Sequence, residues 1–274
     1  MSDDGVMPIE HTAGENPDRY SHAQFDASLL VEAKGDRSVS VCIPARNEAA
    51  TVGPVVHSIT TALTGSAGGV PLVDEVVVVD DGSVDRTAEV ARGAGARVIT
   101  SDAAHGGKGQ AMRTALKSSD GDLVVFVDAD VTNFEPHFVT GLLGPLLADE
   151  SLALVKGLYR RPLQGAPDGG GRVTELMAKP IIDLLFPFLA PIEQPLAGET
   201  AAPRAVLEKC GLADGYAVEL ALLIDAATQF GVGSIAQVDL GVRVHRNRPL
   251  SELRPQATDI LRAALVRAPL ITPD

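Results

Sequence analysis

The chain has 274 residues, 45% hydrophobic and 22% charged, an ordinary globular composition with too little Gly and Pro for a low-complexity chain. Its 36 acidic and 23 basic side chains leave a formal charge of −13, which argues against a nucleic-acid partner but not against small anions met by a few placed cations. Two cysteines, Cys42 and Cys210, make neither a disulfide framework nor a zinc site, and read as reduced apolar residues of a cytoplasmic protein.

Residues 1–24 lack apolar periodicity and read as a mobile tail, with nothing resembling a signal peptide at the start. A helical pattern follows over 25–34, with Asp26 or Ser28 as its N-cap. A short buried strand is expected over 38–43 and a helix over 47–64. A Gly-rich loop then leads to the strongest strand, EVVVVD at 75–80, followed by a turn and a helix over 87–93. Next come a strand over 97–100, a glycine turn at 106–109, a helix over 110–117 and a strand over 123–127. Val-rich strands spaced by helices indicate βαβ units, and uniformly apolar strands imply that helices cover both sheet faces. The fold class is therefore α/β, a mostly parallel central sheet flanked by helices.

The second half is less regular. Strands are expected over 152–159 and 235–245, and helices over 173–185, 201–210 and 218–230. The most apolar run, PIIDLLFPFLAPI at 180–192, is shorter than the ~20 residues of a membrane span and is broken by Asp183 and prolines. It reads as a core helix or a pocket wall, so no membrane contact is expected. A composition shift near residue 140 separates a Val-rich lobe, 25–140, from a second lobe, 141–255, with a C-terminal helix or tail at 256–274.

In open parallel sheets, ligands bind beyond the carboxyl ends of the strands. Polar groups collect at four such ends: Pro44, Ala45, Arg46, Asn47 and Glu48; Asp80, Asp81, Gly82 and Ser83; Gly106, Gly107, Lys108 and Gly109; and Asp128, Ala129 and Asp130. Of the last pair of carboxylates, one can orient a ribose while the other ligates a divalent cation that also holds a diphosphate. Lys108, set among glycines, can approach a phosphate. Glu48 and Asp80 can accept hydrogen bonds from a nucleobase and a ribose. No GxGxxG follows a strand and no GxxxxGK[ST] is present, which disfavours dinucleotide and Walker-type phosphate binding.

Further along, three glycines ending in Gly171 precede Arg172. Backbone N–H groups and a guanidinium there suit an anion, with a helix dipole added if Val173 opens a helix. His245 lies among Arg243, Arg246 and Arg248, where a neutral imidazole could complete a metal site with Asp130. Arg160 and Arg161 are equally an anion clamp or a solvated pair.

The series PARNEAAT, VVVVDDGSVDRT, GGKGQAM and FVDAD resembles the nucleotide-sugar lobe of GT-A glycosyltransferases. The segments LVKGLYRRPL, GGGRVTEL, QPLAGETAA, GYAVELALLID and IAQVDLGVRVHRNRPL resemble the actinobacterial glucosyl-3-phosphoglycerate synthase family and its mannosyl relatives. The resemblance implies a GT-A fold whose smaller lobe binds the acceptor. The implied activity is retaining transfer of glucose from a nucleotide sugar, UDP-glucose, to the 2-hydroxyl of D-3-phosphoglycerate, by a homodimer. It implies Mg2+ or Mn2+ on Asp130 and His245, with Asp128 at the nucleotide sugar and Pro44, Glu48 and Ser83 at the nucleoside. Ala45, Asp80 and Ala129, at the same strand ends, are expected to join them on the donor side. Lys108 would lie near the donor phosphates, Leu196, Ala197, Gly198 and Glu199 along the donor sugar, and Glu219 near the reaction centre as nucleophile or orienting group. Gly171, Arg172, Thr174 and Asn247 would hold the acceptor. GDP-mannose as donor, another phosphorylated or natural-product acceptor, a nucleotidyltransferase and a non-catalytic binding protein remain the competing readings.

Overall fold

The computed structural model describes residues 16–65, 68–101, 107–162, 171–244 and 250–268. Its first element corrects the expectation of a tail reaching residue 24. Asp18–Ser21 is a strand, β1, followed by a single 3-10 turn at His22–Gln24. A four-residue strand is too short for alternation to register, and only Tyr20 of it is buried. Helix α1 (Ala27–Lys34) starts at Asp26, whose carboxylate accepts the Ser28 N–H at 2.9 Å.

The valine-rich strands β2 (Val39–Ala45), β3 (Glu75–Asp80) and β5 (Leu123–Phe126) pair in parallel, with β4 (Arg97–Thr100) beyond β3. Each strand serves two cores because side chains alternate across the sheet. Val41, Ile43, Val76, Val78 and Val125 join the apolar stripe of α2 (Val52–Leu63) on one face. Cys42, Val77, Val79, Val124 and Phe126 join Ala111, Met112 and Ala115 of α4 (Lys108–Ser118) on the other. The short helix α3 (Thr87–Gly93) lies between β3 and β4 in the chain. Both cysteines are free, and Cys42 is fully buried.

Helix α5 (His137–Ala148), which patterning did not reveal, is buried almost all round, so it has no polar face to betray a helical period. It precedes β6 (Leu154–Arg160). After the stretch 163–170, a five-residue π segment at Thr174–Ala178 runs into α6 (Lys179–Leu185). The apolar run 180–192 thus becomes α6 and a 3-10 turn, with Ile181, Ile182, Phe186, Leu189 and Ile192 in the second core. Among the described residues no helix is long and apolar enough to cross a membrane.

The expected helix at 201–210 is corrected at its start. Thr200–Pro203 is a strand, β7, and the helix α7 begins at Arg204 (Arg204–Cys210). Alanine favours helix in isolation, but pairing on both sides overrides that preference, and Pro203 holds its predecessor extended. The chain continues through α8 (Val218–Phe230), β8 (Ile235–Val242) and α9 (Leu250–Arg267).

The eight strands form one sheet in the order β1-β8-β6-β7-β5-β2-β3-β4. All neighbours are parallel except β7, which is antiparallel to both β5 and β6. The carboxyl ends of β2, β3, β5, β6 and β8 therefore share one edge with the amino end of β7. The functional cavity opens there.

Candidate active site

A cavity of about 400 Å3 lies at this edge. Pro44, Ala45, Arg46 and Glu48 follow or end β2, Asp81 follows β3, and Gly107 with Lys108 opens α4. Asp128, Ala129 and Asp130 follow β5, Arg161 follows β6, and Gly171, Arg172 and Thr174 begin the helical segment before α6. Leu196, Glu219 and Arg243 close the wall.

Asp128 is the hub of the charges. Its Oδ1 accepts from Lys108 Nζ at 2.5 Å and its Oδ2 from Arg243 Nη2 at 2.7 Å. Lys108 Nζ also stands 2.6 Å from Glu219 Oε1. Arg243 donates from Nη2 to Asp130 Oδ1 at 2.9 Å and from Nε to Glu199 Oε1 at 2.8 Å. Glu199, fully buried, accepts on its other oxygen from the Tyr159 hydroxyl at 2.6 Å. Lys108 and Arg243 thus tie together carboxylates from three separate segments of the chain.

The protonation states follow from this wiring. Burial pushes the Asp128 carboxyl up, but Lys108 and Arg243 outweigh it and hold the group well below the usual carboxylate range. Burial pulls Lys108 down, and Asp128 with Glu219 more than reverses it, so the ammonium is locked on. Asp130 goes the other way: burial raises it, and Arg243 only partly offsets that against Asp128 and Glu199. Behind the site, Lys156 is almost fully buried and donates to the Ala197 carbonyl at 2.5 Å and to Thr200 Oγ1 at 3.0 Å. Burial drops its pKa to about 8.

The cavity brings together Pro44, Ala45, Glu48, Lys108, Asp128, Ala129, Asp130, Gly171, Arg172, Thr174, Leu196 and Glu219. Asp80 is a correction: its carboxylate accepts the Ser83 N–H at 3.1 Å and shapes the turn, while the cavity is lined by Asp81. Asp81 accepts from Gly107 N–H and Ser101 Oγ, both at 2.7 Å, and so holds the amino end of α4. Ser83 also turns aside, its Oγ accepting the Asn47 N–H at 2.9 Å and tying the first two loops together. Ala197 and Glu199 are fully buried behind the wall, and Gly198 packs against Asp128. His245 and Asn247 lie outside the described residues.

In the sequence Asp81 and Arg243 have no individual role, and Arg161 stands evenly between an anion clamp and a solvated side chain. A basic residue at a strand end was the available signal for both arginines, but it acquires meaning only when the sheet order sets β8 and β6 beside β7 and β5. The pair Arg160–Arg161 separates: Arg160 is exposed and Arg161 lines the cavity.

The comparisons with known proteins agree with this geometry. The family model described as Glycosyl transferase family 2 matches residues 40–179. Glucosyl-3-phosphoglycerate synthase of Mycobacterium tuberculosis is 45% identical over 96% of this chain and 81% of its own length. The chain belongs to the glucosyl-3-phosphoglycerate synthase family. A crystal structure of the M. tuberculosis synthase in complex with Mn2+, UDP-glucose and phosphoglyceric acid superposes with a TM-score of 0.83 at 43% identity, covering 92% of this chain and 87% of that one. Another, with Mn2+, UDP and glucosyl-3-phosphoglycerate, gives 0.83 at 42%, covering 92% and 88%. The sheet is therefore the GT-A fold, and this glucosyl-3-phosphoglycerate synthase relative is a glycosyltransferase.

For a member of that family the donor set can be tested against a divalent cation. Among the described residues Asp130 bonds only to Arg243, through Oδ1, while its side chain borders the cavity. A carboxylate oxygen so placed suits a hard cation such as Mg2+ or Mn2+. The described residues contain no group of three or more His, Cys, Asp or Glu able to cage an ion by themselves, which fits an ion shared with a ligand. Asp128 has both oxygens engaged by cations, so Asp130 is the better ligand of the two.

Proposed function

We propose that the chain transfers glucose from UDP-glucose to the 2-hydroxyl of D-3-phosphoglycerate, with retention at the anomeric carbon. The observation that carries this reading is one cavity holding two opposed chemistries. Asp128 and Asp130, clamped by Lys108 and Arg243, form one side, and Arg161 with Gly171, Arg172 and Thr174 forms a cationic other side. The first suits a nucleotide sugar with its metal, the second a phosphorylated acid, and the M. tuberculosis synthase has been crystallised with both kinds of molecule.

A bound Mn2+ or Mg2+ would supply charge neutralisation of the leaving diphosphate. Asp130 would hold it, with His245 as the expected second ligand. Pro44, Ala45, Glu48 and Asp81 line the nucleoside end. Asp128 and Leu196 border the sugar, while Gly198 packs behind Asp128, and Ala197 and Glu199 support the wall from behind, Glu199 by holding Arg243. Lys108, kept charged and immobile by Asp128 and Glu219, offers a preorganised positive group where negative charge develops. Glu219 acts by orienting Lys108, its carboxylate being committed to the ammonium rather than free to attack. Gly171, Arg172 and Thr174, with Asn247, receive the acceptor phosphate. The acceptor hydroxyl attacks from the leaving-group side, and its proton passes to a diphosphate oxygen, so no protein base is needed. The reading includes a donor lobe at 25–140, an acceptor lobe at 141–255, a homodimer and a cytoplasmic location.

The test is a donor-by-acceptor matrix of UDP-glucose and GDP-mannose against 3-phosphoglycerate with Mn2+ present. Release of UDP with formation of glucosyl-3-phosphoglycerate, its anomeric proton unchanged in configuration by NMR, is expected. Turnover with GDP-mannose alone overturns the donor, pyrophosphate release overturns glycosyl transfer, and an inverted anomer overturns retention.

A further inference from the structure

Arg161 differs from the other cations wired into the cavity. Lys108 and Arg243 are each bonded to more than one carboxylate, and Arg46 Nη1 lies 3.9 Å from Asp81. Among the described residues Arg161 has no carboxylate partner. Its Nη2 donates to the Tyr159 hydroxyl at 2.9 Å, its guanidinium carbon lies 4.9 Å from the centre of that ring, and its Nε is buried with no hydrogen-bond partner. A phenol fixes the geometry of a guanidinium without forming an ion pair, and the nearest carboxylate influence on Arg161 among the described residues is the field of Asp128 rather than a bond.

Tyr159 is itself immobile. It is almost fully buried, donates to Glu199, and has Arg243 on its ring at 5.4 Å from the centre. Gly171, at φ +81°, brings its backbone close: a Cβ there would stand 3.7 Å from Arg161 Nη1. Arg161 therefore borders the Gly171–Thr174 segment from the side of Tyr159 and Glu199. A buried donor left unmatched carries a desolvation cost that an incoming anion removes.

The proposed acceptor carries two anions, a phosphate and a carboxylate, and the first is already provided for by Gly171, Arg172 and Thr174. We propose, resting on that reading of the acceptor, that Arg161 binds the acceptor carboxylate and that Tyr159 is the positioning residue that aims it. Arg161 then makes the site selective for a phosphorylated hydroxy acid over a phosphorylated alcohol, since only the former offers the planar pair of oxygens that a guanidinium fork matches.

The experiment uses the full chain with UDP-glucose and Mn2+, and compares wild type with Arg161→Met, Arg161→Lys and Tyr159→Phe. The readouts are KM for 3-phosphoglycerate, inhibition constants for glycerol 3-phosphate (no carboxylate) and D-glycerate (no phosphate), and the affinity for UDP. Arg161→Met is expected to raise the KM and the D-glycerate constant about 10- to 100-fold, the loss of one charge-assisted contact. Glycerol 3-phosphate inhibition and UDP affinity stay unchanged, which a merely structural role would not allow. Arg161→Lys recovers part of the loss, and Tyr159→Phe raises the same two constants by a smaller factor. Weakening confined to glycerol 3-phosphate, equal weakening of both analogues, or loss of UDP affinity overturns the assignment. Wild type active on 3-phosphoglycerate with Arg161→Met unaltered overturns it alone; wild type inert on 3-phosphoglycerate overturns the acceptor reading as well.

Discussion

Gly198 lies against Asp128 so closely that a Cβ at position 198 would stand 2.4 Å from both carboxylate oxygens. No real side chain fits in that space, and Asp128 cannot swing away without leaving both Lys108 and Arg243. The substitution Gly198→Ala is therefore expected to lower kcat/KM for UDP-glucose by about 100-fold or more, as displacement of a positioning group by an ångström does. The variant should keep its circular-dichroism spectrum, because the clash falls in the cavity wall. Wild-type kinetics in this variant would show that Asp128 is free to move.

Arg243 neutralises carboxylates that are all at least partly buried. Its replacement by Met strands Asp128, Asp130 and Glu199 beside one another. Removing one partner of a buried ion pair costs roughly 3–5 kcal/mol, so the midpoint of urea unfolding should fall correspondingly. Arg243→Lys should recover only part of this, since an ammonium cannot reach Asp128, Asp130 and Glu199 with a single fork. Equal stability of Arg243→Met and wild type would refute the wiring.

Lys156 gives a pH signature. Burial lowers its pKa from 10.5 to about 8 in the folded chain. Between those two values the unfolded chain holds a proton that the folded chain has released, so stability rises with pH across that window. The shift corresponds to a gain on the order of 3 kcal/mol, best measured as the difference between wild type and Lys156→Met in urea at pH 7.5 and pH 10.5. The difference should move in favour of wild type at the higher pH. A pH-independent difference would mean that Lys156 stays charged in its pocket.

Chelation of divalent cations by EDTA should abolish transfer, and Mn2+ or Mg2+ should restore it. Asp130→Ala should lower turnover by about 100-fold or more, the scale of losing a preorganised electrostatic contact, and should raise the Mn2+ concentration needed for half-maximal rate. Asp130→Ala with undiminished turnover and metal dependence would remove Asp130 from the metal site.

The donor side of the sheet was legible because its strands are short, apolar and bounded by charges. Helices α3 and α8 and strands β3 and β4 begin and end where patterning set them. Where patterning failed, a physical reason is visible. Strand β7 is built from small residues, whose helix preference yields to pairing on both sides, and α5 hides its period because nearly every position is buried. The choice between Asp80 and Asp81 failed for a related reason. A strand apolar on both faces carries no alternation to tell which of two successive carboxylates turns into the cavity. Arg161 was undecidable because its role depends on Tyr159 and Gly171, which come near it only in three dimensions.

The reversal of β7 has an architectural consequence. Because β7 runs against its neighbours, the chain leaves the sheet at the end of β6 and re-enters it at Thr200 from the same edge. Residues 161–199 therefore form a single excursion, carrying Arg161, Gly171, Arg172, Thr174 and Leu196 to the cavity, whose two roots are adjacent strands. An excursion with neighbouring roots can be lengthened, shortened or exchanged without altering any strand pairing. It is the natural graft point for giving this scaffold a different acceptor while leaving its nucleotide-sugar half intact.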